Sequence, residues 1–138
     1  MHSVPAGALA ELPATTVYEQ QFAVRFDYPV YFTERVFDRE NPVFRQALAR
    51  REPGRRHRFA VFIDGNVAAC HPALPQEIAA YAHANADALA LVAPPEVLPA
   101  GEALKNDPAL VERLQRRLGD LAIDRHSYAV GIGGGALL

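Results

Sequence analysis

A single cysteine, Cys70, excludes any intramolecular disulfide and fits a reducing compartment. No apolar run approaches the roughly 20 residues that a membrane-spanning helix needs. Met1 to Leu12 lacks the basic-then-apolar order of a secretory signal. A charge surplus is lacking as well: the net charge is −2 and the isoelectric point near 6.2. That balance argues against nucleic acid or an anionic membrane surface as the main partner. Lysine is almost absent, Lys105 being the one lysine among 14 basic residues. What is present is 138 residues, 50% hydrophobic and 22% charged, enough for one packed domain and not for two. A cytoplasmic single domain is expected.

Residues 1–14 are small, apolar and proline-punctuated without periodicity, and read as a loose tail. From Thr15 the pattern changes, and residues 15–138 read as the folded domain. Val17, Phe22, Val24 and Phe26 alternate in part with polar residues, Asp27-Tyr28-Pro29 supplies a turn, and Val30-Tyr31-Phe32 returns. An N-terminal β-hairpin is therefore expected. Asn41-Pro42 predicts a helix running to about Arg51, with Val43, Phe44, Ala47 and Leu48 on its inner face.

After Glu52-Pro53-Gly54 the grammar becomes regular. Arg58 to Ile63 is a short apolar strand that Asp64-Gly65-Asn66 breaks, and Pro75 to Ala84 is a helix burying Ile78 and Tyr81. Ala88 to Val92 is a second strand, followed by a loop from Ala93 to Asn106. Asp107-Pro108 starts a helix with Leu110, Val111, Leu114 and Leu118 on one face and Gly119 at its C-terminal cap. Tyr128 to Ile132 is a strand that runs into Gly133-Gly134-Gly135. Apolar strands alternating with amphipathic helices predict an α/β fold, a Rossmann-like parallel sheet covered on both faces.

In such a sheet ligands bind beyond the carboxyl ends of the strands, where strand order reverses. Three strands release three loops at that edge: Asp64-Gly65-Asn66, Gly101-Glu102-Ala103-Leu104-Lys105 and Gly133-Gly134-Gly135. A carboxylate at a strand end, Asp64 or Glu102, can accept from ribose hydroxyls. Glycines let backbone N–H groups approach a pyrophosphate, and Lys105 can add a positive charge. Each element also has a plain structural reading: Asp-Gly-Asn as a turn, the glycines as a sharp bend, Glu102 and Lys105 as a solvated ion pair. The five histidines, His2, His57, His71, His83 and His126, show no ligand spacing and suit surface or capping roles. Arg50-Arg51 and Arg55-Arg56-His57-Arg58 read as a solvated loop around a Pro-Gly turn.

In order and spacing, Asp64-Gly65-Asn66-Val67, the Gly-Glu-Ala-Leu-Lys-Asn run at 101–106 and Ile132-Gly133-Gly134-Gly135 resemble three motifs of the 3-dehydroquinate synthase family. Phe37-Asp38 to Asn41-Pro42 is similar to the wider sugar-phosphate cyclase group, which includes sedoheptulose 7-phosphate cyclases. The resemblance covers roughly residues 15–138 and implies the amino-terminal NAD-binding domain, ending at the glycine-rich loop. It implies that Asp64, Gly65 and Asn66 contact the adenosine part of NAD, that Glu102 and Lys105 form a second binding pair, and that Gly134, Gly135 and Ala136 meet the pyrophosphate.

The implied reaction of the whole family member is transient oxidation by NAD, phosphate elimination and ring closure of a heptulose phosphate, a lyase acting on a small sugar phosphate. The family's divalent metal, zinc or cobalt, belongs to a C-terminal helical domain that this sequence lacks, so no metal ligand and no catalytic residue is assigned here. A homodimer is the expected state of the full-length enzyme. The chain alone is expected to be incomplete, marginally stable, weak or undetectable in NAD affinity and without turnover. An NAD-dependent metal polyol dehydrogenase and a non-catalytic nucleotide-binding module are the rival readings.

Overall fold

The computed structural model describes residues 17–101, 107–135 and 137. From Tyr31 onward the described residues build an open parallel sheet with helices on both faces. The elements are α1 (Val43–Ala49), β1 (His57–Asp64), α2 (Gly65–Cys70), α3 (Leu74–Ala84), β2 (Leu89–Leu91), β3 (Glu96–Leu98), α4 (Pro108–Asp120) and β4 (Tyr128–Ile132).

β1 is the centre of the sheet, and every other strand runs parallel to it. Its first residues pair with β2 (Phe59 with Leu91) and its last with β3 (Asp64 with Leu98). β4 pairs across the middle, Phe59 with Tyr128 through Ile63 with Ile132. A strand has two edges, so β2 and β3 follow one another along one edge and β4 takes the other. Pro94-Pro95 separates β2 from β3, since neither proline can donate to the ladder.

The two faces of β1 feed two cores. Phe59, Val61 and Ile63 pack with Leu48 of α1 and with Ile78, Tyr81 and Ala82 of α3. Ala60 and Phe62 pack with Leu98 and, on the opposite face, Leu114 and Leu118 of α4. Burial on both sides explains why Phe59 to Ile63 is apolar without alternation. α4 starts as predicted, the Asp107 carboxylate accepting from the N–H groups of Ala109 (3.0 Å) and Leu110 (3.2 Å) with Pro108 behind it.

Several sequence expectations are corrected. Residues 17–32 contain no strand, so the N-terminal hairpin is not formed, and Phe22 and Phe26 are 89% and 84% exposed. Alternation marks a face that could be buried, and an isolated two-stranded hairpin is marginal without something to cover it. Asp64-Gly65-Asn66 starts a helix as well as ending a strand. β3 lies inside the expected loop. Gly119 is within α4, whose C-cap is Leu121, and Ala122 takes the left-handed turn residue at φ 49°. Val111 is exposed. His57 is fully buried.

The basic loop is also more structural than its composition suggests. Arg58 donates to the Ala122 carbonyl (2.8 Å) and the Leu121 carbonyl (2.9 Å), closing the end of α4. Arg56 donates to the Leu89 carbonyl of β2 (3.3 Å). Leu137 is half-buried against the second core. Among the described residues no helix is long and apolar enough to cross a membrane.

Candidate functional site

The chain leaves β1 through α2 and α3 to reach β2 and β3 on one edge, then crosses through α4 to β4 on the other. Strand order therefore reverses between β1 and β4, and their carboxyl ends, Asp64 and Ile132, flank that point. In open parallel sheets this geometry leaves a crevice with no connection crossing it.

Asp64 is 6% exposed at the end of β1. Its Oδ1 accepts from the Asn66 N–H (2.8 Å) and the Val67 N–H (3.4 Å), which caps α2. Both bonds use one carboxylate oxygen, so the cap does not require Oδ2. Gly65 lies against the end of β3: a β-carbon there would stand 2.8 Å from the Leu98 carbonyl oxygen. Asn66 is exposed on the first turn of α2.

Across the switch point, a β-carbon on Gly133 would stand 2.9 Å from the Asp64 β-carbon and 3.0 Å from Leu137 Cδ2. Glycine is thus required at Gly133 by packing. Gly134 and Gly135 differ. Neither has a positive φ, and a β-carbon on either would meet no described atom within 4 Å. Packing among the described residues does not demand glycine at these two exposed positions.

A cavity of about 610 Å³ opens beside this edge. Val36, Phe37, Val67, Leu74 and Ile132 give it an apolar lining, and Arg35, Asp38, His71 and Glu77 supply its polar groups. One wall is the 33–41 segment, fixed from below by the buried Tyr81, whose hydroxyl donates to the Asn41 carbonyl (2.7 Å). Burial pushes the Tyr81 hydroxyl above its ordinary 10.0, against the opposing effect of the Arg45 N–H and guanidinium.

Of the sequence-predicted residues, Asp64, Gly65, Asn66, Gly134 and Gly135 stand at one end of the sheet. Glu102, Lys105 and Ala136 lie outside the described residues. Sequence reasoning missed the tight approach of Gly133 to Asp64 and the wall built by residues 33–41. The second had a visible signal in Phe37-Asp38 and Asn41-Pro42. Among the described residues no group of three or more His, Cys, Asp or Glu could hold a metal ion. Comparison with known proteins finds no family model, no curated protein and no solved structure that matches this chain.

Proposed function

We propose that this domain binds NAD at the carboxyl edge between β1 and β4, as the Rossmann-like portion of a sugar-phosphate cyclase similar to 3-dehydroquinate synthase. The observation that carries the reading is the pair Asp64 and Gly133, a carboxylate and a close-packed glycine on either side of the strand-order reversal. Gly134 and Gly135 support it, because glycines that φ and the packing of the described residues leave unexplained suit a place where a ligand approaches the backbone.

The residues present fit the cofactor. Asp64 Oδ2 is suited to accept from ribose hydroxyls while Oδ1 caps α2. The N–H groups of the Gly133–Gly135 turn are suited to a pyrophosphate. When bound, NAD supplies reversible hydride acceptance from a substrate hydroxyl. The chain's own part is to hold and orient the cofactor, with α2 fixed at its first turn and β4 locked in register against β1. Phosphate elimination and ring closure of a heptulose phosphate follow from the sequence resemblance and belong to the whole enzyme.

The test is a saturation-transfer measurement with millimolar NAD on the wild-type chain and on Gly134→Ala. The substitution has room, so the fold is kept and only ligand approach is obstructed. Loss of the NAD signal in Gly134→Ala is expected. Equal signals in both proteins remove the glycine turn from the site, and no signal in the wild type counts against NAD binding by this domain.

A further inference from the structure

Arg35 is out of place by ordinary criteria. Its φ is 48°, a left-handed conformation in which side chains other than glycine are strained. The surroundings hold it there. The Asp38 N–H donates to the Arg35 carbonyl (2.8 Å). Asn41 Nδ2 donates to Thr33 Oγ1 (2.9 Å), the Glu34 carbonyl (2.9 Å) and, at 3.4 Å, the Arg35 carbonyl. Asn41 is in turn fixed by the Tyr81 hydroxyl on its own carbonyl.

Packing does not explain why the strained residue is an arginine. Its side chain is 83% exposed, and its ion-pair partner among the described residues is Asp38 at 3.2 Å. Exposed pairs of this kind contribute little and exchange readily. Arg35 does line the 610 Å³ cavity together with Ile132, the residue before the glycine turn.

We propose that Arg35 recognises a phosphoryl group of the ligand in this crevice. The inference rests on the reading of the β1–β4 edge as a ligand site and adds a residue to it. A guanidinium presents two parallel N–H donors that match two phosphate oxygens, a geometry the ammonium of lysine cannot reproduce. The apolar lining formed by Phe37, Val67 and Ile132 suits the carbon skeleton attached to that phosphate. Asp38 and Glu77 bring negative charge to the same walls, so a bare anion gains little there, and recognition needs phosphate and skeleton together. Asp38 holds the guanidinium at the rim until the phosphate replaces it.

Two phosphates could fill the role, that of NAD or that of a sugar phosphate, and the experiment separates them. Amide chemical shifts are followed during titration with NAD and, separately, with glucose 6-phosphate, for the wild type, Arg35→Gly and Arg35→Lys. Glycine suits the left-handed backbone, so Arg35→Gly keeps the fold with an equal or higher melting temperature. Arg35→Lys keeps the charge and loses the fork, and it decides the matter if glycine loosens the segment.

The expected result is binding of one ligand weakened roughly tenfold or more in Arg35→Gly, with incomplete recovery in Arg35→Lys. Equal affinities in wild type and both variants overturn the role of Arg35 and leave the dinucleotide reading standing. An Arg35-dependent response to glucose 6-phosphate with none to NAD keeps the inference and removes NAD. A wild type that responds to neither overturns both.

Discussion

The β-carbon of Asp64 lies 2.9 Å from where a β-carbon on Gly133 would be, so the last residue of β1 and the first after β4 touch across the point of strand reversal. Gly133→Ala forces Asp64 or Leu137 to move and is expected to destabilise by about 1–3 kcal/mol, as overpacking does. Gly134→Ala, in open space at an ordinary φ, should stay within about 0.5 kcal/mol of wild type. Urea denaturation of the two variants measures the contrast.

Asp64 carries a structural and a proposed binding role, and two substitutions separate them. Asp64→Ala removes the acceptor for Asn66 and Val67 and should cost about 1 kcal/mol. Asp64→Asn keeps a capping oxygen, so stability stays near wild type. Its loss of charge still weakens the bond to ribose hydroxyls. NAD titration and thermal unfolding of the same samples check the two halves.

Arg58→Ala should lower stability by about 1 kcal/mol, because the Leu121 and Ala122 carbonyls lose their donor at the end of α4. The loss should concentrate there. Hydrogen exchange of the last turn of α4, faster in the variant than the exchange of β1, is the readout.

Tyr81 gives a pH dependence with a definite sign. Its folded value is raised by burial, so its contribution is fully present below the unfolded value near 10.0 and is lost as pH rises through the raised value. Tyr81→Phe loses the bond to the Asn41 carbonyl and should cost about 1 kcal/mol at neutral pH. The advantage of wild type over Tyr81→Phe should shrink in denaturation measured above pH 10.

The parts of the fold that could be read from residues are those with strong local chemistry. Asp107-Pro108 fixed the start of α4, and the apolar run around Phe59 to Ile63 marked a strand buried on both sides. β3 was hidden because three residues after Pro94-Pro95 gain their pairing from β1, where Phe62 pairs with Glu96 across a long stretch of sequence that local chemistry does not reveal. α2 was hidden because Gly65 and Asn66 are poor helix formers, and the Asp64 cap that offsets them also looks like a turn. The hairpin expectation failed on the other side of the same logic, since alternation around Phe22 to Phe26 has no partner built into it. At the candidate site, residue types were legible and distances were not. The spacing between Asp64 and Gly133 in sequence says nothing of their contact, which β1–β4 register creates.

The most direct test of dinucleotide binding is an amide shift map of the wild-type chain titrated with NAD to millimolar concentration. The largest changes are expected at Gly65, Asn66 and Val67 and at Gly133, Gly134 and Gly135, with little change at the opposite end of the sheet around His57 and Leu89. A map centred away from the β1–β4 edge, or one without change, contradicts the account.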